Sequence, residues 1–159
     1  VIEMSVAPRA ADPPRDPAAQ LQWLVDRAAI SDRLIDFARC LDVRDWSGYV
    51  ENFTDDAELE LPHGTFEGRA QIAELATRGL DDFDATHHLS ANHVIEIDGD
   101  EARTRSYVSV AHVPDASAPT EHGDAGGWYD CRLRRVGDGW RFTRVSLQIV
   151  WIRGTAFPH

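Results

Sequence analysis

From residue 86 to residue 151 the chain reads as four strand patterns in a row, with no helical pattern between them. Residues 86–97 run into Asp98-Gly99, a dipeptide suited to the left-handed backbone of a tight hairpin, and residues 101–113 return. Residues 128–136 and 140–151 repeat the arrangement around Gly137-Asp138-Gly139. A polar loop rich in Ala, Asp and Gly, residues 114–127, joins the two hairpins. A chain written this way builds a mostly antiparallel sheet, and whatever precedes residue 86 must cover one face of it.

What precedes it is mainly helical. In residues 16–41, Leu21, Leu24, Val25, Ala28, Ala29, Leu34, Ile35, Ala38 and Leu41 recur at three- and four-residue steps. Asp16-Pro17 supplies a start signal, and Ser31-Asp32 suggests a break. Asp45 is placed to cap a second helix over residues 46–53, with Trp46, Tyr49, Val50 and Phe53 on one face. Thr54-Asp55-Asp56 reads as a turn, residues 57–61 as a short strand, and Pro62-His63-Gly64 as its stop. Residues 68–80 form a third helix with Ile72, Leu75, Ala76 and Leu80 inward. Helices first and hairpin-linked strands after argue an α+β fold. The expected form is a cone-shaped α+β barrel: a curved, mostly antiparallel sheet wrapped on the N-terminal helices around an internal pocket.

At 159 residues one domain is expected, over residues 18–159. Residues 1–17 hold four of the eight prolines and are expected to be a disordered arm, with no secretory signal pattern. No apolar run approaches the ~20 residues of a membrane span. The net charge of -11 argues against nucleic acid or an anionic membrane as partner, since both call for a basic surface. The two cysteines, Cys40 and Cys131, have no Cys neighbours and read as buried free thiols, which fits a reducing cytoplasm.

Three of the seven histidines fall in Asp84-Ala85-Thr86-His87-His88-Leu89-Ser90-Ala91-Asn92-His93. On a strand, His88 faces opposite to His87, and His93 shares the parity of His87. A histidine at the entry of the sheet can act as a base if a carboxylate reaches it. Asp42 continues the apolar stripe of Leu34, Ala38 and Leu41. An acid in such a place is paired, hydrogen-bonded or protonated. The alternative is a helix-terminal acid bonded to backbone in the turn. Metal binding is not expected, because the histidines show no ligand spacing, and no glycine-rich phosphate loop or other cofactor motif occurs.

Several segments together resemble the SnoaL-like branch of the nuclear transport factor 2-like superfamily. They are Leu41-Asp42-Val43-Arg44-Asp45-Trp46, Phe53-Thr54-Asp55-Asp56-Ala57, Phe66-Glu67-Gly68, Thr86-His87-His88-Leu89, Ile97-Asp98-Gly99-Asp100-Glu101-Ala102 and Asp138-Gly139-Trp140-Arg141-Phe142. Scytalone dehydratase, hexachlorocyclohexane dehydrochlorinase and polyketide cyclases are enzyme relatives in that group. The resemblance implies that Asp42 orients His88, and that His88 takes a proton from carbon. It also implies a second pocket histidine at His112 and a polar pocket group at Tyr129. Read without the resemblance, His112 is a strand-end surface histidine and Tyr129 a packed aromatic. Two tyrosines of scytalone dehydratase correspond to Leu41 and Leu61, so a water-mediated electrophile and scytalone itself are not expected. Arg144 is a loose match to a cationic residue of the dehydrochlorinases, or else a surface residue.

The resulting expectation is a cofactor-independent lyase, a dehydratase, or an isomerase-type cyclase of natural-product metabolism. His88, Asp42, His112 and Tyr129 form its catalytic set. Leu41, Trp46, Leu61, Asn92, Val110, Phe142 and Arg144 are the expected contacts to a small hydrophobic substrate. Dehydration and cyclisation both start from an enolate and stay open at this point. A non-catalytic ligand-binding or dimerising module of the same fold is the alternative. Trp128, Trp140 and Trp151 on the outer sheet face would support a homodimer or higher homo-oligomer.

Overall fold

A computed structural model describes residues 7–154. Residues 1–6 of the expected arm and residues 155–159 of the expected domain lie outside the described residues. Residues 7–15 carry no helix or strand.

Helix α1 spans Pro17–Asp42. The Asp16 side chain accepts from the Ala19 amide at 2.9 Å, and Pro17 occupies the first turn, where its missing N–H costs nothing. The helix runs through Ser31-Asp32 without the expected break. Ser31 Oγ lies 2.8 Å from His93 Nδ1 across the interface, so its hydroxyl is engaged with the sheet. Helix α2 (Trp46–Glu51) is capped by Asp45, which accepts from the Gly48 amide at 2.9 Å. It stops before the expected Phe53, because the Asn52 carbonyl accepts from the Phe142 amide and draws the chain into the sheet.

Strand β1 (Phe53–Leu61) therefore begins four residues earlier than expected. The segment expected to turn, Thr54 to Asp56, lies in an irregular stretch where the register with the last strand shifts. Strand β2 (Gly64–Glu67) was not anticipated; the expected stop at Pro62-His63-Gly64 is a hairpin turn onto it. Helix α3 (Gly68–Leu80) follows. Strands β3 (Ala85–Asp98), β4 (Glu101–Val113), β5 (Gly123–Val136) and β6 (Gly139–Arg153) complete the chain. Strand β5 starts at Gly123, inside the segment that reads as loop. A Cβ at Gly126 would collide with the Trp151 ring, and one at Gly127 with the Gln148 carbonyl, so glycine here serves close strand approach.

The strand order is β2-β1-β6-β5-β4-β3. The β1–β6 pair is parallel and the others are antiparallel. The curved sheet is mixed and open rather than a closed barrel: its edges are the four-residue β2 and β3, and α1 packs along β3. The core joins Ile30, Leu34 and Phe37 of α1 to Phe53, Leu133 and Phe142 of the sheet.

Two features of the surface depart from expectation. Leu21, Leu24 and Val25 are exposed, because the buried contact of that helical turn is the carboxylate of Asp26. Arg135 grips Asp26 with two hydrogen bonds of 2.8 and 2.9 Å, and the indole of Trp140 donates to it at 3.1 Å. Trp140 is consequently buried at 1% exposure, not on the outer face. Trp128 and Trp151 are partly exposed and exposed, and Arg105 stacks over the Trp128 ring at 4.8 Å. Among the described residues, no helix is long and apolar enough to cross a membrane.

Candidate active site

Asp42 is the last residue of α1, and His88 is the fourth of β3. His88 Nδ1 lies 2.6 Å from Asp42 Oδ1, and the His88 amide donates to Asp42 Oδ2 at 2.8 Å. Thr86, on the same strand face two residues earlier, donates its hydroxyl to Oδ1 at 2.9 Å. Three donors on one carboxylate overcome the cost of placing it inside. Burial pushes the Asp42 carboxyl up, while the His88 ring, the His88 amide and Thr86 pull it down, and the result lies below its ordinary value.

An ionised carboxylate can only accept, so the His88 proton sits on Nδ1 and leaves Nε2 as the basic atom. The His88 ring lines a cavity of about 500 Å³ enclosed by α1, α3 and the inner sheet face. Leu41, Leu61, Leu75, Val108, Val110 and Leu147 supply much of its apolar wall. None of its lining residues is Asp, Glu, Lys or Arg. The His112 ring lies 5.6 Å from that of His88 and 4.7 Å from that of Phe83, centroid to centroid. Burial first, then the charges of His88 and Arg44, push His112 down to about 4, so it is neutral at pH 7. Tyr129 also lines the cavity, edge-on to Phe37, and burial holds its phenol protonated well above its ordinary range.

Of the expected site residues, the structure brings His88, Asp42, His112, Tyr129, Leu41, Leu61 and Val110 together. Four lie elsewhere. Phe142 is fully buried in the core, with its ring against Phe37 and Phe53. Trp46 packs on the core from α2, under the Arg44 guanidinium. Arg144 pairs with Glu60 at 2.9 Å and Glu58 at 3.6 Å, not with the cavity. Asn92 is exposed at a bulge in β3 with φ of 51°. That bulge also turns His93 under α1, between Ser31 and Ser90. His87 is exposed, opposite His88.

Sequence reasoning missed His63, Tyr49 and Phe37 among the lining residues, and it missed Thr86 and Arg44 behind the carboxylate. The signal for Thr86 was available in its parity with His88. Arg44 carried no such signal, since its role depends on where α3 ends. Among the described residues, no group of three or more His, Cys, Asp or Glu side chains is placed to hold a metal ion.

Residues 22–146 match the SnoaL-like domain family. An uncharacterized protein of Mycobacterium tuberculosis is 29% identical over 121 residues, covering 75% of this chain and 82% of its own. A candidate scytalone dehydratase from Novosphingobium aromaticivorans superposes with a TM-score of 0.76 at 25% identity, over 83% of this chain and 89% of that one. A hexachlorocyclohexane dehydrochlorinase from Novosphingobium barchaimii superposes with a TM-score of 0.75 at 20% identity, over 87% and 96%, which shows a shared fold.

Proposed function

The chain belongs to the SnoaL-like domain family, and from that premise we propose that it is a cofactor-independent lyase acting on a small, neutral, largely apolar carbonyl compound. The observation that carries this reading is the 2.6 Å contact between His88 Nδ1 and Asp42 Oδ1 at the wall of an apolar cavity. His88 Nε2 takes a proton from the carbon beside the carbonyl, and Asp42 stabilises the imidazolium that forms. The enolate oxygen receives hydrogen bonds from the neutral His112 ring and the Tyr129 phenol, both of which line the cavity. A hydroxyl on the β-carbon then leaves, takes the proton back from His88 Nε2, and departs as water. The product carries a new carbon–carbon double bond, and His88 returns to its starting state. An aldol-type cyclisation starts from the same enolate, which then attacks a second carbonyl of the substrate in place of losing hydroxide.

The test is water loss from a set of aryl β-hydroxy ketones that fit about 500 Å³. Wild type is expected to dehydrate at least one of them, and His88→Gln to lose about a hundredfold or more of that rate. Binding of the same compounds without turnover by wild type would replace this reading with that of a ligand-binding module.

A further inference from the structure

Behind the Asp42–His88 pair the structure holds a second layer, Thr86 and Arg44, which does not itself line the cavity. Arg44 is a non-glycine residue at φ of 59°, a left-handed conformation that costs on the order of 1 kcal/mol or more and persists where its surroundings demand it. Its guanidinium reaches four acceptors. One nitrogen donates to the Leu41 carbonyl at 2.6 Å and to Thr86 Oγ1 at 2.9 Å. The other donates to the carbonyls of Leu80 and Phe83 at 3.3 and 3.1 Å. It therefore ties the end of α1, the end of α3 and the start of β3 together at one point.

The contact with Thr86 has a chemical consequence. An arginine offers only donors, so Thr86 Oγ1 must accept from it. The single hydroxyl proton of Thr86 is then left for Asp42 Oδ1, 2.9 Å away. Without Arg44 the hydroxyl could turn and accept or donate elsewhere; with it, the donor direction is set.

We propose that Thr86, held in its donor orientation by Arg44, is a positioning residue that stabilises the charge of the Asp42 carboxylate and aims it at His88 Nδ1. This rests on the lyase reading for its purpose, though not for its geometry. The chain of contacts is Arg44 to Thr86 to Asp42 to His88, and only the last member reaches the cavity. Because hydrogen bonds to a charged group are the stronger kind, loss of the Thr86 donor raises the basicity of Asp42. A more basic Asp42 also competes with the ring for its proton, so the tautomer with a basic Nε2 is less firmly held.

The experiment is a carbon-13 NMR titration of the Asp42 carboxyl in the full chain, for wild type, Thr86→Val and Thr86→Ser. Valine keeps the shape and removes the hydroxyl; serine keeps the hydroxyl. The lower apparent pKa of the Asp42–His88 pair is expected to rise by about one pH unit in Thr86→Val and to stay at the wild-type value in Thr86→Ser. A lower melting temperature in Thr86→Val with an unmoved carboxyl titration would overturn the proposal and leave Thr86 a packing residue. Should Thr86→Val not fold, Thr86→Ala carries the same comparison. The titration needs no substrate, so the two readings fail separately. A shifted carboxyl with no turnover in any variant sinks the lyase and leaves the positioning role standing. Turnover that depends on His88 with an unshifted carboxyl does the reverse.

Discussion

His88 contacts Asp42 twice, through Nδ1 to Oδ1 at 2.6 Å and through its backbone amide to Oδ2 at 2.8 Å. Side chain and main chain of one residue thus hold both oxygens of a carboxylate 46 positions upstream. The ring cannot swing without giving up the first contact, and the strand cannot slide without giving up the second. Pre-organisation of this kind is what a base needs if it is to meet a carbon acid in one geometry.

Asp42→Asn keeps the size of the side chain and removes its charge. Turnover is expected to fall by roughly 10²–10⁴-fold, because the imidazolium loses its counter-charge and Nδ1 its fixed acceptor. Steady-state kinetics with a substrate that wild type turns over checks this; a loss confined to KM would contradict it.

Acid is expected to destabilise the fold through His112. Its folded pKa is pushed down to about 4, while an unfolded histidine titrates near 6.5. Between those values the unfolded chain binds more protons, so stability rises with pH across that window and is lost as pH falls through it. Urea unfolding at several pH values between 4 and 7 should give a flatter slope for His112→Gln than for wild type. Equal slopes would assign the acid sensitivity to other groups.

Removal of the Asp26 carboxylate tests the clamp between α1 and the far end of the sheet. Asp26→Ala leaves the Trp140 indole without its acceptor and Arg135 with Asp100 alone, and a loss of about 1–3 kcal/mol is expected. The His88 and Asp42 resonances should stay in place, since the clamp lies outside the cavity lining. Chemical denaturation and a single NMR spectrum suffice to check both halves.

Val110→Phe narrows the cavity beside His88. Bulky aryl ligands should bind at least about tenfold more weakly, with the His88–Asp42 pair unperturbed, because about 1.4 kcal/mol of lost contact is a factor of ten. Calorimetric titration against a small and a large ligand separates the two, and equal losses for both would speak against the cavity as the binding site.

Much of this arrangement was legible in the residues. Helical spacing placed Asp42 at the end of an apolar stripe, strand alternation separated His88 from His87, and the motif pattern named the family and the α+β fold. Alternation alone could not distinguish a side chain facing the cavity from one facing solid core. Phe142 and Val110 look alike on their strands, yet the first packs against Phe37 and Phe53 and the second faces the cavity. Arg144 was unreadable for a different reason: its partners Glu58 and Glu60 come from β1, a strand joined in parallel and distant in sequence. The bulge at Asn92 depends on register, and the strand character of Gly123 to Gly127 depends on neighbours that demand glycine. Strand β2, one edge of the sheet, was likewise concealed by the turn residues around His63.

Proton removal from carbon by His88, the step proposed above, is read by hydrogen–deuterium exchange without requiring any leaving group. Wild type and His88→Gln are incubated in deuterium oxide with an aryl ketone that both bind, and the hydrogens beside the carbonyl are followed by NMR. Rapid exchange is expected with wild type and at least about a hundredfold slower exchange with His88→Gln, at comparable affinity. Equal exchange by the two proteins would contradict it.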